Sequence, residues 1–259
     1  MDSTRARKSL SELVALKAAG KPISALTCYD YPSACIQDAA GLDIIFVGDS
    51  AATNVLGHSH QNNLTVDELR VLVQAVNRGI QQAYLLVDLP YCACQSTAAM
   101  RSAASQFAAD GANGIKFEGF HPNAVHELSA DGFEVWTHLG YLPQYHRKPS
   151  LTANDSEAAE RLLEEASELE AAGAAGLILE LVPDELAKKV AAQTRFPVIG
   201  IGAGPDTDGQ VQVWHDLVGL SEKQFRHAAR LGEARASQAS SVQAYLEKVA
   251  RREIPSQAN

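Results

Sequence analysis

A chain of 259 residues, 46% hydrophobic and 20% charged, can bury a full core and has the length of a single α/β barrel. Its net charge of −9 excludes the clustered cationic footprint of a nucleic-acid binder, and no apolar run approaches the ~20 residues of a membrane span. Four cysteines are too few for a disulfide scaffold, Cys92-Ala93-Cys94 lacks the spacing of zinc or redox pairs, and Met1–Lys8 leads into no apolar segment, so a reduced, cytoplasmic protein without a secretory signal is expected.

The first strand is expected at Ile23–Thr27. A helix end at Asp38-Ala39-Ala40-Gly41 then leads into a strand over Asp43–Gly48, which closes on Asp49. An amphipathic helix spans Val66–Ile80, followed by a strand at Tyr84–Asp88 and a helix at Thr97–Ala109. The joint Ala108-Ala109-Asp110-Gly111-Ala112 repeats the earlier pattern before a strand at Gly114–Glu118. Glu134–His138 is the fifth strand. The helix Ser156–Ala172 ends in the third such joint, Glu170-Ala171-Ala172-Gly173-Ala174, ahead of Gly176–Glu180. In each joint a glycine supplies the left-handed residue that ends a helix at little cost. Val198–Ile201 and Val211–Trp214 complete eight strands, the last pair joined by a segment too short for a helix. Helices at Ser221–Gly232 and Ala236–Arg252 follow. No linker divides the chain, which reads as one (β/α)8 TIM barrel domain, 1–259, with a helical extension at about 221–252. An open doubly wound sheet is the alternative.

Four of the expected strands close on a carboxylate: Asp49, Asp88, Glu118 and Glu180. A charge at the end of an apolar strand is costly unless that end opens into a polar site, and in a barrel the C-terminal strand ends form the site. Asp49, Asp88 and Glu118 lie on successive strands, so their like charges call for a compensating cation. Hard oxygen donors without His or Cys suit Mg²⁺. The competing reading is that each acid caps the next helix, which Gly48-Asp49-Ser50 fits taken singly. Lys116 shares the inward face of its strand with Glu118 and reads as an ion-pair partner or a clamp for a substrate anion. His138 is either a hydrogen-bonded core histidine or a site residue. Glu180, across the barrel, can act as a general base if apolar surroundings raise its pKa. The glycines of Gly200-Ile201-Gly202-Ala203-Gly204 do not have dinucleotide spacing; they suit a tight turn or a close approach of backbone to ligand.

The stretches Val47-Gly48-Asp49-Ser50, Leu86-Val87-Asp88-Leu89-Pro90, Gly114-Ile115-Lys116-Phe117-Glu118-Gly119 and His138-Leu139-Gly140 resemble ketopantoate hydroxymethyltransferase. So do Leu179-Glu180-Leu181-Val182-Pro183, Ile199-Gly200-Ile201-Gly202-Ala203-Gly204, Thr207-Asp208-Gly209-Gln210 and His215-Asp216, in order from about Ile23 to Gly219. That family falls in the phosphoenolpyruvate mutase and isocitrate lyase superfamily of barrels. The resemblance implies Mg²⁺ held by Asp49 and Asp88, with Glu118 behind them or through water. It places Asp49, Ser50, Asp88, Lys116 and His138 about a small 2-oxo acid, 2-oxoisovalerate, and makes Glu180 the base that removes its C3 proton. The enolate then takes a one-carbon unit from 5,10-methylenetetrahydrofolate, giving ketopantoate for pantothenate synthesis. It also implies a homo-oligomer, a decamer, with the C-terminal helices as contacts.

Two loops depart from the family pattern. Ala51-Ala52-Thr53-Asn54-Val55-Leu56-Gly57-His58 and Gln61-Asn62-Asn63-Leu64-Thr65 replace a Gly- and Met-containing turn and a Thr-Leu-Pro-Val-Thr-like segment. After Gly140 the family's glycine-rich lid is replaced by Tyr141-Leu142-Pro143-Gln144-Tyr145-His146-Arg147-Lys148-Pro149-Ser150, with no glycine from Tyr141 through Ala172. These departures admit a paralogue that joins another aldehyde or one-carbon donor to another 2-oxo acid. A lyase or mutase of the superfamily is a further alternative, although no Lys-Cys-Gly-His-like segment occurs. A barrel that binds 2-oxo acids without turning them over would be expected to lack Glu180 or a metal acid, and all are present.

Overall fold

The computed structural model describes residues 7–222, 225, 226 and 228–254. The chain divides into two compact units, Met1–Gln212 and Val213–Asn259. The first contains α1 (Leu10–Ala18), β1 (Ile23–Thr27), α2 (Tyr31–Ala39), β2 (Ile44–Val47), α3 (Ala51–Asn54), α4 (Val66–Gly79), β3 (Tyr84–Asp88) and α5 (Thr97–Ala109). It continues through β4 (Gly114–Glu118), α6 (Pro122–Ala130), β5 (Glu134–Gly140), α7 (Ser156–Ala171), β6 (Gly176–Glu180), α8 (Asp184–Gln193), β7 (Val198–Ile201) and β8 (Gly209–Gln212). All eight strands run parallel in sequence order and close into a barrel. The β1–β8 pairing from Ile23↔Gly209 to Leu26↔Gln212 seals it, which excludes the open sheet.

Local chemistry explains the boundaries. Thr65 and Glu68 form a reciprocal capping box at the start of α4, and the Asp30, Ser96 and Asp155 side chains accept backbone N–H bonds at the starts of α2, α5 and α7. The three joints behave as their glycines suggest, with φ of +86° at Gly41, +103° at Gly111 and +100° at Gly173. β5 runs two residues beyond the expected span because Leu139 and Gly140 pair with Leu179 and Glu180. β8 lies at Gly209–Gln212 instead of Val211–Trp214, drawn back by its register with β1.

Alternation along the strands sorts the interior. Ile23, Ala25, Ile44, Phe46, Leu86, Ile178, Ile199 and Val211 point into the barrel core, with Tyr84 and Trp136 toward its N-terminal end. Gly114 and Gly176 make room for these two aromatics: a Cβ would lie 2.2 Å from the Tyr84 hydroxyl at the first and 2.4 Å from the Trp136 ring at the second. Both rings are fully buried, each worth about 4–6 kcal/mol of apolar transfer at most. The Trp136 Nε1–H donates to Tyr84 Oη at 3.2 Å, and Tyr84 donates to Glu134 Oε2 at 2.6 Å.

The second unit contains α9 (Trp214–Leu217) and α10 (Ala234–Ala250). The expected helix Ser221–Gly232 does not form among its described residues; residues 223, 224 and 227 lie outside them. There the chain folds back onto α9: the Leu231 and Gly232 amides donate to the Leu217 carbonyl, and those of Ala234 and Arg235 to Val218 and Gly219. The other expected helix, Ala236–Arg252, appears as α10, and none of its residues is buried.

Candidate active site

Because Tyr84 and Leu86 face the core, the period of two also turns Asp88 inward at the end of β3. Asp88 pairs in register with Lys116, Glu118 with His138, and Glu180 with Gly140, so these side chains meet at the C-terminal mouth. Asp49, Asp88, Lys116, Glu118 and His138 are all buried. Lys116 Nζ lies 2.6 Å from Asp88 Oδ1 and 5.3 Å from the centroid of the Phe46 ring. The Asp49 amide donates to Asp88 Oδ2 at 2.9 Å, which ties the end of β2 to the end of β3. A Cβ at Gly48 would sit 3.2 Å from Ser50 Oγ, a tight approach, and 3.4 Å from Asp88 Oδ2, an ordinary contact.

The capping alternative does not hold. The residues preceding α3, α5, α6 and α8 are Ser50, Ser96, His121 and Pro183, so none of the four acids occupies those caps. Ser50 makes no cap bond; its hydroxyl lies 2.8 Å from Tyr29 Oη. His138 sits between two acids, with Nε2 3.4 Å from Glu180 Oε2 and Nδ1 3.9 Å from Glu118 Oε1. Glu180 is the most open of the interior acids, its side chain 12% exposed against 1% for Glu118 and Asp88.

Three buried carboxylates share one ammonium, and the titration of the site follows from that imbalance. Burial pushes Asp88 up to about 7 and Glu118 up to about 9, against the pull of Lys116 and with the push of Asp49. Burial raises Glu180 to about 8, again tempered by Lys116. For Lys116 burial acts downward, but Asp88, Glu118 and Asp49 outweigh it and hold the ammonium above its ordinary value. Burial and the nearby Lys116 charge push His138 well below the usual histidine range, so it is neutral. The nearby Cys94 thiol, raised by burial to about 12, is no nucleophile at neutral pH, and all four cysteines are free.

Gln144, in the β5–α7 loop, also belongs to the site. Its amide N–H donates to Glu118 Oε2 at 2.9 Å and its side-chain Nε2 to Asp49 Oδ2 at 2.8 Å. Sequence reasoning passed over it because a neutral amide in a loop carries no charge or periodicity signal. The glycine run after β7 is a self-closed turn, with Gln210 Nε2 donating to the Gly204 carbonyl at 2.9 Å. Among the described residues no three His, Cys, Asp or Glu groups by themselves form a metal-holding cluster. Asp49 and Asp88 are the residues whose oxygens could hold a cation that keeps waters or takes further oxygens from a ligand, a donor set that fits Mg²⁺.

Residues 7–257 match the family model described as ketopantoate hydroxymethyltransferase. The 3-methyl-2-oxobutanoate hydroxymethyltransferase of Roseiflexus sp. (strain RS-1) is 39% identical over 256 residues, covering 96% of this chain and 92% of the relative. That of Salinibacter ruber is 41% identical over 251 residues, with 93% and 94% coverage. Among solved structures, phosphonopyruvate hydrolase in complex with oxalate and Mg²⁺ superposes with a TM-score of 0.65 at 13% identity, covering 96% of this chain and 92% of that one. A 2,3-dimethylmalate lyase of the PEP mutase/isocitrate lyase superfamily gives 0.60 at 16%, covering 97% and 91%. These two likenesses concern the barrel fold. The family match and the near full-length relatives agree with the strand-end motifs, and the chain belongs to the ketopantoate hydroxymethyltransferase family, a family of transferase enzymes.

Proposed function

We propose that this enzyme transfers a hydroxymethyl group from 5,10-methylenetetrahydrofolate to 2-oxoisovalerate by way of its enolate, giving ketopantoate for pantothenate synthesis. The observation that carries the proposal is the division of the mouth. Asp49, Asp88 and Glu118 crowd about Lys116, while Glu180 stands apart, more open and with its pKa raised to about 8. The first group suits an anionic substrate held beside a cation; the second suits a base.

Asp49 and Asp88 would hold Mg²⁺, with Glu118 behind them. When bound, the cation supplies Lewis-acid stabilisation to charge developing on the keto oxygen. Lys116, held cationic by its carboxylate neighbours, offers its ammonium to the substrate carboxylate, and Ser50 Oγ, bonded to Tyr29 Oη, offers a hydroxyl from the end of β2. Glu180 takes the C3 proton onto a carboxylate oxygen. The neutral His138, 3.4 Å from Glu180, orients that carboxylate and, as much the weaker base of the two, does not compete for the proton. The nucleophilic carbon then forms a C–C bond to the methylene carbon of the folate, whose two C–N bonds break. Water supplies the hydroxyl, and the proton from C3 and the one from water go to the nitrogens of the departing tetrahydrofolate. A different 2-oxo acid is a second reading, favoured by the amide-lined loops: Asn62 bonds to Gln144 where the family carries a lid of other composition.

Incubation with Mg²⁺ and 2-oxoisovalerate in D₂O, followed by NMR, should show deuterium entering C3. Absence of exchange with several 2-oxo acids would remove the enolate route. Addition of methylenetetrahydrofolate should then give ketopantoate, and exchange without that product points to another donor.

The proposal extends to a cytoplasmic homo-oligomer. No helix among the described residues is long and apolar enough to cross a membrane. On α10, Val242, Tyr245, Leu246 and Val249 form an exposed apolar stripe at helical spacing. A decamer contacting through that stripe predicts a matching mass by light scattering, reduced by Leu246→Glu.

A further inference from the structure

Gln144 is 4% exposed, and its neighbours fix the orientation of its amide. Nε2 lies 2.8 Å from Asp49 Oδ2 and 3.4 Å from the Leu89 carbonyl, and both partners only accept. The nitrogen therefore faces Asp49. Oε1 is left as a buried acceptor with no hydrogen-bond partner among the described residues. An unmet buried acceptor costs free energy, so packing alone gives no reason to keep an amide there. The loop that carries it is tied down on several sides. Asn62 Nδ2, from the turn Gln61–Asn63, donates to the Gln144 carbonyl at 2.7 Å, and the Gln144 amide holds Glu118. Tyr145 packs edge-on against Tyr91 at 5.9 Å, and the Thr152 amide donates to the Leu181 carbonyl at 2.8 Å.

We infer that Gln144 is a positioning residue of the cation site. Its Nε2 engages one oxygen of Asp49 and leaves the other for the cation, and its Oε1 would be free to accept from a donor that a bound cation brings. Asn62 acts through Gln144, so the loops after β2 and β5 together set the pose of Asp49 and Glu118. The inference rests on the reading that Asp49 and Asp88 hold a divalent cation. It differs from a glycine-hinged lid: the strap is fixed, in keeping with the absence of glycine from Tyr141 through Ala172.

The test is Mn²⁺ binding to the intact protein without substrate, read by electron paramagnetic resonance. The proteins compared are the parent, Asp88→Asn, Gln144→Met, Asn62→Ser and the double variant Gln144→Met/Asn62→Ser, each checked for an unchanged circular dichroism spectrum. Gln144→Met should weaken Mn²⁺ binding by about 10–100-fold, the range for groups that orient metal ligands, and should broaden the spectrum of the bound ion. Asn62→Ser should weaken binding less, and the double variant should bind no more weakly than Gln144→Met alone. Parent-like affinity and line shape in Gln144→Met, with binding lost in Asp88→Asn, overturn the positioning role while sparing the cation reading. Failure of the parent to bind, or full binding by Asp88→Asn, overturns both. Should Gln144→Met not fold, the partly exposed Asn62 keeps the test open: unchanged Mn²⁺ affinity in Asn62→Ser overturns the strap.

Discussion

At the N-terminal end of the barrel the Tyr84 hydroxyl receives a bond from Trp136 and gives one to Glu134, in space opened by Gly114 and Gly176. At the C-terminal end three carboxylates share one ammonium, and a neutral histidine lies between two acids without a well-aligned hydrogen bond. Both ends are buried and both are polar at their centre. The first satisfies its polar groups by geometry and is built for stability; the second leaves them in conflict, which protonation or a bound cation relieves. Substitutions at the two ends should therefore act on different observables.

The largest effect on chemistry should come from Glu180→Gln. Loss of a positioned base lowers a proton-transfer rate by ~10²–10⁴-fold, measured as C3 deuterium exchange. The thermal midpoint should not fall, because the substitution removes a buried group that resists ionisation. Exchange at the parental rate would take Glu180 out of the base role. The mirror experiment is Trp136→Ala, which should cost about 3–5 kcal/mol of stability in denaturant unfolding. Carried out well below the unfolding midpoint, it should leave the pH dependence of exchange unaltered, because Trp136 lies below the acid layer on β5.

The pH dependence sharpens the comparison at the mouth. Glu180, raised to about 8 by burial, must lose its proton to act. The kcat/KM for exchange should therefore rise about tenfold per pH unit as pH approaches that value, more steeply below about 7, where Asp88 is protonated as well, and level off above it. The Glu180→Gln variant should lack this limb.

The alternation of strands and Gly-closed helix ends made the barrel legible, because burial on both faces of a parallel sheet leaves continuous apolar runs. Strand-end acids were legible for the same reason: a charge after Leu86-Val87 or Ile178-Leu179 breaks such a run. Gln144 was not, since nothing in Tyr141-Leu142-Pro143-Gln144 says that the loop turns its amide onto Asp49. Nor was the segment after Ser221. Its composition is that of a helix, but among its described residues the Leu231 and Gly232 amides bond to the distant Leu217 carbonyl instead of to a preceding helical turn. Local propensity loses wherever the chain has a distant partner for its amides.

The smallest effect expected is on stability. Asp88, Glu180 and Glu118 have folded-state pKa values of about 7, 8 and 9, all above the ~4 of an unfolded carboxylate. The folded state thus binds more protons than the unfolded one across this window. These groups contribute their full stability below pH ~4, and it is lost as pH rises through 7, 8 and 9. A divalent cation binds the deprotonated carboxylates and reverses the loss, so Mg²⁺ should raise the thermal midpoint more at pH 8.5 than at pH 6. In Asp88→Asn both the Mg²⁺ shift and part of the downward slope with pH should disappear. A Mg²⁺ shift of equal size at both pH values would mean that the ion binds away from the acid layer, and the contrast between the two ends of the barrel would then have to be drawn without it.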